Sequence, residues 1–184
     1  FDASGLPDGD ELFYASGSTG TANLLTANRS RHSLSLPLTS AVAAGDYLLV
    51  GSTANYESNT STKVGEIQRV MSVSGLTANL RDATYSTYNT ADTASAKVLT
   101  FVKNITLENV HATGKGNGTT AGGKDQYGAR FIVGKNINLI NCSFELFDYA
   151  AVEFATCYEV GVSGGQYGRA YDAIDGASYG VMIT

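Results

Sequence analysis

Four aspartates are the residues whose type and setting could do chemistry: Asp125 in GGKDQY, Asp148 in ELFDYA, and Asp172 and Asp175 in YDAIDG. Glycoside hydrolysis needs two carboxylates, about 5–5.5 Å apart for retention of configuration or about 6.5–9.5 Å for inversion. Two carboxyl groups that close raise the pKa of one of them, which keeps a proton ready for the leaving oxygen. The plainer reading of each aspartate is a turn residue bonding its own backbone. Tyr127 and Tyr171 stand beside these acids, with Tyr149, Tyr167 and Tyr179 nearby. A tyrosine ring can cover the apolar face of a sugar while its hydroxyl hydrogen-bonds; equally, it can fill a β surface or a subunit interface. Asp172, Asp175, Asp148 and Asp125 are therefore the candidate catalytic residues, and Tyr127 and Tyr171 the candidate carbohydrate-binding ones.

Other chemistries have thinner support. Cys142 and Cys157 are 15 residues apart, which suits no common zinc pattern, and the two histidines, His32 and His111, are not near them in sequence. Both cysteines read as reduced thiols in a β core rather than a bridge. No metal site and no cofactor is expected. His111 falls on an outward position between Val110 and Ala112. Lys124 and Arg169 lie beside acids, which leaves room for a lyase as well as a hydrolase.

The elements that would position these groups emerge from an internal repeat. Lys135–Phe144 (KNINLINCSF) aligns with Tyr158–Tyr167 (YEVGVSGGQY) at an offset of 23, and the same offset sets Phe131 on Phe154 and Asp125 on Asp148. An earlier copy, Lys103–Ala112 (KNITLENVHA), aligns at 32; the Gly-rich insertion Gly114–Tyr127 accounts for the surplus. Short alternating strands at this period are the mark of a β-solenoid, whose coils stack because none can bury its apolar face alone. Equivalent residues then lie about 4.8 Å apart along the axis. The expected inward columns are Ile105, Ile137 and Val160; Leu107, Leu139 and Val162; Val110, Cys142 and Gly165; and Ala112, Phe144 and Tyr167. Asn109, Asn141 and Gly164 share the position of a sharp turn, where asparagine and glycine tolerate the left-handed conformation and stacked amides can bond coil to coil. Arg130 falls on Glu153, which predicts an ion pair between coils on the outer wall. A second insertion, Tyr171–Gly176, precedes the strand Tyr179–Ile183, and the candidate groove is bordered by the two insertions.

Upstream, residues 21–101 read as a small β module. Leu34, Leu36 and Leu38 alternate, Asp46–Val50 follows a Gly45-Asp46 turn, Glu66–Val73 and Leu76–Leu80 flank Ser74-Gly75, and Lys97–Phe101 leads into the repeats. Residues 1–20, punctuated by glycine, read as a linker or approach strand. Residues 102–184 are the coils, expected to continue beyond Thr184 because a bare solenoid end exposes unpaired backbone. A net charge of −5 argues against nucleic acid as partner, and no apolar run approaches the ~20 residues of a membrane helix.

KNITLENVHATG, KNINLINCSF and YGVMI resemble coils of the pectate-lyase-like right-handed parallel β-helix superfamily. The stretch from Gly45 to Leu107 is similar to the module before such helices in phage tailspikes and pre-neck appendage proteins. The resemblance, over residues 21–184, implies an all-β fold: a right-handed parallel β-helix preceded by a small β-strand module. It also implies a homotrimeric, extracellular virion tail appendage, joined to other tail proteins, that binds and often cleaves a host cell-surface polysaccharide or teichoic acid. The spacing of Asp172 and Asp175, with Glu145 or Glu153 on a neighbouring coil, is similar to the acid arrangement of tailspike hydrolases. A secreted cellular lyase, hydrolase or epimerase and a non-catalytic adhesive solenoid are the alternatives.

Overall fold

Period-2 alternation becomes strand over much of the described chain. The computed structural model describes residues 1–5, 10–55, 63–114, 126–147, 149–168 and 179–184. In chain order the strands are β1 (Glu11–Ser16), β2 (Ser18–Thr19), β3 (Asn23–Leu24), β4 (Ser35–Pro37), β5 (Tyr47–Asn55), β6 (Lys63–Ser74), β7 (Thr77–Leu80), β8 (Ser95–Thr100), β9 (Val102–Glu108), β10 (His111–Thr113), β11 (Tyr127–Ile132), β12 (Gly134–Ile140), β13 (Ser143–Glu145), β14 (Ala150–Ala155), β15 (Tyr158–Ser163), β16 (Gln166–Gly168) and β17 (Tyr179–Ile183). They divide between two units, Phe1–Gly17 with Phe101–Thr184, and Ser18–Thr100.

The first unit is a parallel β-helix. From β9 onward the chain visits three parallel sheets in a fixed cycle: β9, β12 and β15 in one, β10, β13 and β16 in the next, and β11, β14 and β17 in the third. The registers are those the repeat predicts. Ile137 pairs with Ile105 and Val160, Leu139 with Leu107 and Val162, and Phe144 with Ala112 and Tyr167. Ile137, Leu139, Cys142 and Phe144 are fully buried in one core with Phe131 and Phe154, whose rings stack at 5.6 Å. Val162, on the outer strand β15, is 40% exposed, so this column is less enclosed at that strand than the repeat implies. Gly165 lies so close over Cys142 that a Cβ would sit 1.8 Å from the cysteine carbonyl oxygen, and its φ is +81°; only glycine fits at this position of the column. Both cysteines are free thiols, Cys142 buried and Cys157 half-buried.

Asn109, Asn141 and Gly164 all take positive φ, and the Asn141 amide donates to Asn109 Oδ1 at 2.8 Å. A second amide step, unforeseen in the sequence, runs within the strands. Asn104 and Asn136 are left-handed, the Asn136 amide donates to Asn104 Oδ1 at 2.9 Å, and Glu159 takes the same conformation one coil on. Its signal was the repeated Lys-Asn-Ile of both copies. Val133 and Thr156 share a third left-handed position, strained for β-branched side chains.

One boundary differs from the expected division. Within residues 1–20, β1 pairs in parallel with β11, Glu11 opposite Tyr127 and Ala15 opposite Phe131, so the opening segment is a strand of the solenoid's third sheet. Phe13 and Ala15 reach the core cluster, which supplies the reason: their alternation completes an apolar wall.

The second unit is antiparallel, with strand order β2-β8-β5-β6-β7-β4 and β3 pairing β8. Leu36, Leu38, Leu48, Val50, Tyr88 and Ala96 are its buried core, while Leu34 is exposed. Ser74 pairs with Thr77, so the β6–β7 turn is Gly75-Leu76, one residue later than expected, because Gly75 supplies the positive φ. The Glu66 carboxylate is a hub. It accepts from the Tyr85 and Ser86 amides, from the Gln68 side chain and from the buried Tyr88 hydroxyl at 2.8 Å.

Candidate functional site

Of the six residues expected to act on a glycan, Asp125, Asp148, Asp172, Asp175 and Tyr171 lie outside the described residues. Tyr127 opens β11 and is 7% exposed. Its ring packs 5.2 Å from Tyr149 and lies 4.6 Å from the Arg130 guanidinium carbon. A ring so covered has little open face to offer a sugar.

The third sheet of the solenoid brings the described polar groups together. Parallel register sets Arg130 beside Tyr14 and Glu153 on the neighbouring strands. Arg130 Nε donates to Glu153 Oε2 at 2.5 Å, and Nη1 donates to Glu11 Oε1 at 3.0 Å. Glu153 is 5% exposed and also accepts from Thr184 Oγ1 at 3.4 Å. The predicted coil-to-coil pair is present and gains a third member, Glu11, which no local pattern could place because 119 residues separate it from Arg130. Charge-assisted hydrogen bonds of this kind are roughly twice as strong as neutral ones. A forked guanidinium engaging two carboxylates makes them structural partners of the wall.

The residues adjoining Asp125 and Asp148 do meet. The Tyr149 amide donates to the Gln126 carbonyl at 3.3 Å, and Tyr127 pairs with Ala150. The chain positions next to both aspartates are thus on neighbouring coils, in the register that offset 23 requires. Glu145, the other glutamate weighed, pairs with Thr113 and Gly168 on the second sheet. Tyr167 packs against Phe144 in the core column, the ring centroids 6.3 Å apart and the planes tilted by 35°, which assigns it to packing. Among the described residues no group of histidine, cysteine, aspartate and glutamate could hold a metal ion.

No protein-family model and no curated protein sequence matches the chain. Its fold does match solved structures. The tailspike protein gp49 from Pseudomonas phage LKA1 aligns over 94% of this chain with TM-score 0.67 and 19% identity. The Pseudomonas phage phi297 tailspike gp61 aligns over 92% with TM-score 0.67 and 20% identity. The gp54 tailspike of Acinetobacter baumannii bacteriophage AP22, solved in complex with A. baumannii capsular saccharide, aligns over 83% with TM-score 0.55 and 17% identity. The chain spans 28% of the length of the first two and 35% of the third. The fold of this chain is the fold of a segment of phage tailspikes.

Proposed function

We propose that the chain is part of a phage tail appendage, located on the virion tail, that binds and depolymerises a host cell-surface polysaccharide or teichoic acid. The observation that supports this most is the likeness of both units to tailspike structures, one of them solved with a capsular saccharide bound. In this reading the protein is a homotrimer joined to other tail proteins. Asp172 and Asp175, with Asp148 and Asp125, supply the acid and base of cleavage, and Tyr127 and Tyr171 border the sugar. The neighbouring-coil placement of Gln126 and Tyr149 favours Asp125 and Asp148 acting as one pair.

The test is incubation of the full chain with capsular polysaccharides from a panel of strains, read by the fall in polymer size on gel filtration. Asp172→Asn and Asp175→Asn are each expected to abolish cleavage while leaving binding and melting temperature nearly unchanged. Full activity in both moves the chemistry elsewhere. A binding solenoid without catalysis is the second reading, favoured by one feature: Arg130 engages both glutamates of the third-sheet wall. Retention of a capsular glycan that is never shortened would select it.

A further inference from the structure

We propose that the antiparallel unit carries its own saccharide subsite, built on Tyr85 and Arg31 and suited to a sugar bearing a carboxylate; this rests on the glycan-binding reading above. The carrying observation is an exposed ring on a loop with little freedom left. Tyr85 is 73% exposed, yet the backbone around it is tied at every step. Its own amide and that of Ser86 donate to Glu66, and the Tyr88 hydroxyl donates to the same carboxylate. Thr84 exchanges backbone bonds with His32 and Ser33, and Tyr88 with Arg29. Farther along, the Thr90 amide donates to Asn28 Oδ1 at 2.8 Å, and Thr53 Oγ1 donates to the Asp92 carbonyl at 2.8 Å.

A loose loop would lower its free energy by turning a large ring inward; a tied loop holds it out. Tyrosine presented in this way offers contact area at low entropic cost, the property that suits it to recognition surfaces. The ring borders a cleft of about 470 Å³, within the range of small-ligand sites. Val64 and Ala54 give the cleft an apolar side, and Asn89 and Thr87 line it with amide and hydroxyl groups; Asp92 also lines it, its carboxylate accepting from the Asn89 side-chain amide at 3.2 Å. Arg31 also lines it, and its guanidinium makes no hydrogen bond or ion pair with any described residue. A sugar ring has an apolar face for Tyr85 and a hydroxyl edge for the polar wall. Arg31 adds a planar fork matched to a carboxylate, so an acidic sugar fits better than a neutral one.

The test uses the full chain and short oligosaccharides cut from the capsule that it binds in the size assay, with and without chemical reduction of their carboxyl groups. Binding is read by calorimetric titration. Tyr85→Ala and Arg31→Gln are each expected to weaken binding about tenfold, with Tyr85→Phe close to wild type. Carboxyl reduction is expected to weaken the wild type similarly and to leave Arg31→Gln unchanged. Both side chains are exposed, so unchanged melting temperatures accompany these losses. Oligosaccharide binding that ignores both substitutions overturns the subsite and leaves the glycan-binding reading intact. Failure of every capsular glycan to bind overturns both together.

Discussion

The two units of this chain solve the same problem with opposite kinds of neighbour. In the β-helix a residue packs against its own counterpart from the next coil: Phe131 on Phe154, Leu107 on Leu139, Asn109 on Asn141. In the antiparallel unit unlike residues meet, and one carboxylate, Glu66, gathers donors from β6 and from the loop after β7. Self-stacking spreads stability over columns, so no single residue organises the coil. A hub concentrates it, so three of the bonds that hold the loop carrying Tyr85 meet at one side chain.

The largest expected effect attacks a column. Leu139 is fully buried between Leu107 and Val162, and Leu139→Ala should lower stability by about 2–5 kcal/mol. Hydrogen exchange should show faster opening across β9, β12 and β15 with residues 18–100 unaffected. Equal acceleration in both units would erase the contrast drawn above.

A pH titration addresses the hub. Burial, then the hydrogen bond and charge of Glu66, holds the Tyr88 hydroxyl pKa above its ordinary value. The unfolded chain therefore loses this proton first. The contribution is complete below about pH 10 and falls as pH rises further, by up to about 1.4 kcal/mol per unit. Tyr88→Phe should flatten this alkaline slope in the antiparallel unit, as followed by exchange or chemical denaturation. An unchanged slope would remove Glu66 and Tyr88 from the centre of that unit.

The smallest effect has the opposite sign. Thr156 holds a φ of +52° at a coil corner, a conformation that costs a β-branched residue about 1–2 kcal/mol. Thr156→Gly should stabilise the coil by about 1 kcal/mol after glycine's greater unfolded-state entropy, raising Tm by about 2–4 °C. A fall in Tm would mean that the threonine side chain contributes more than its backbone strain removes.

The same contrast explains what could be read from the residues. Columns were legible because a parallel coil writes each contact twice, as Ile105–Ile137 and again as Ile137–Val160. The strand β1 was not, since its partner β11 begins 116 positions after Glu11 and no neighbouring copy announces it. Glu66 was equally silent: a hub has no period. For the candidate acids, the repeat aligned Asp125 with Asp148, but Asp172 and Asp175 have no counterpart at offset 23 that would fix their neighbours. Arg130 with Glu153 was readable from the offset, whereas Glu11 entered through β1.

The position of β1 has a genealogical consequence. The chain lays one strand of the coil, leaves at Gly17 and rejoins it at Val102; Gly17 donates to the Ile132 carbonyl and Val102 to that of Val133, the very next residue. On the other side of the junction Ser18 pairs with Thr100. Departure and return are thus adjacent in both units, the arrangement of a domain spliced into a host at a single point. Such a cassette can be exchanged by recombination without recutting the coil, because a substitute needs only two ends lying side by side.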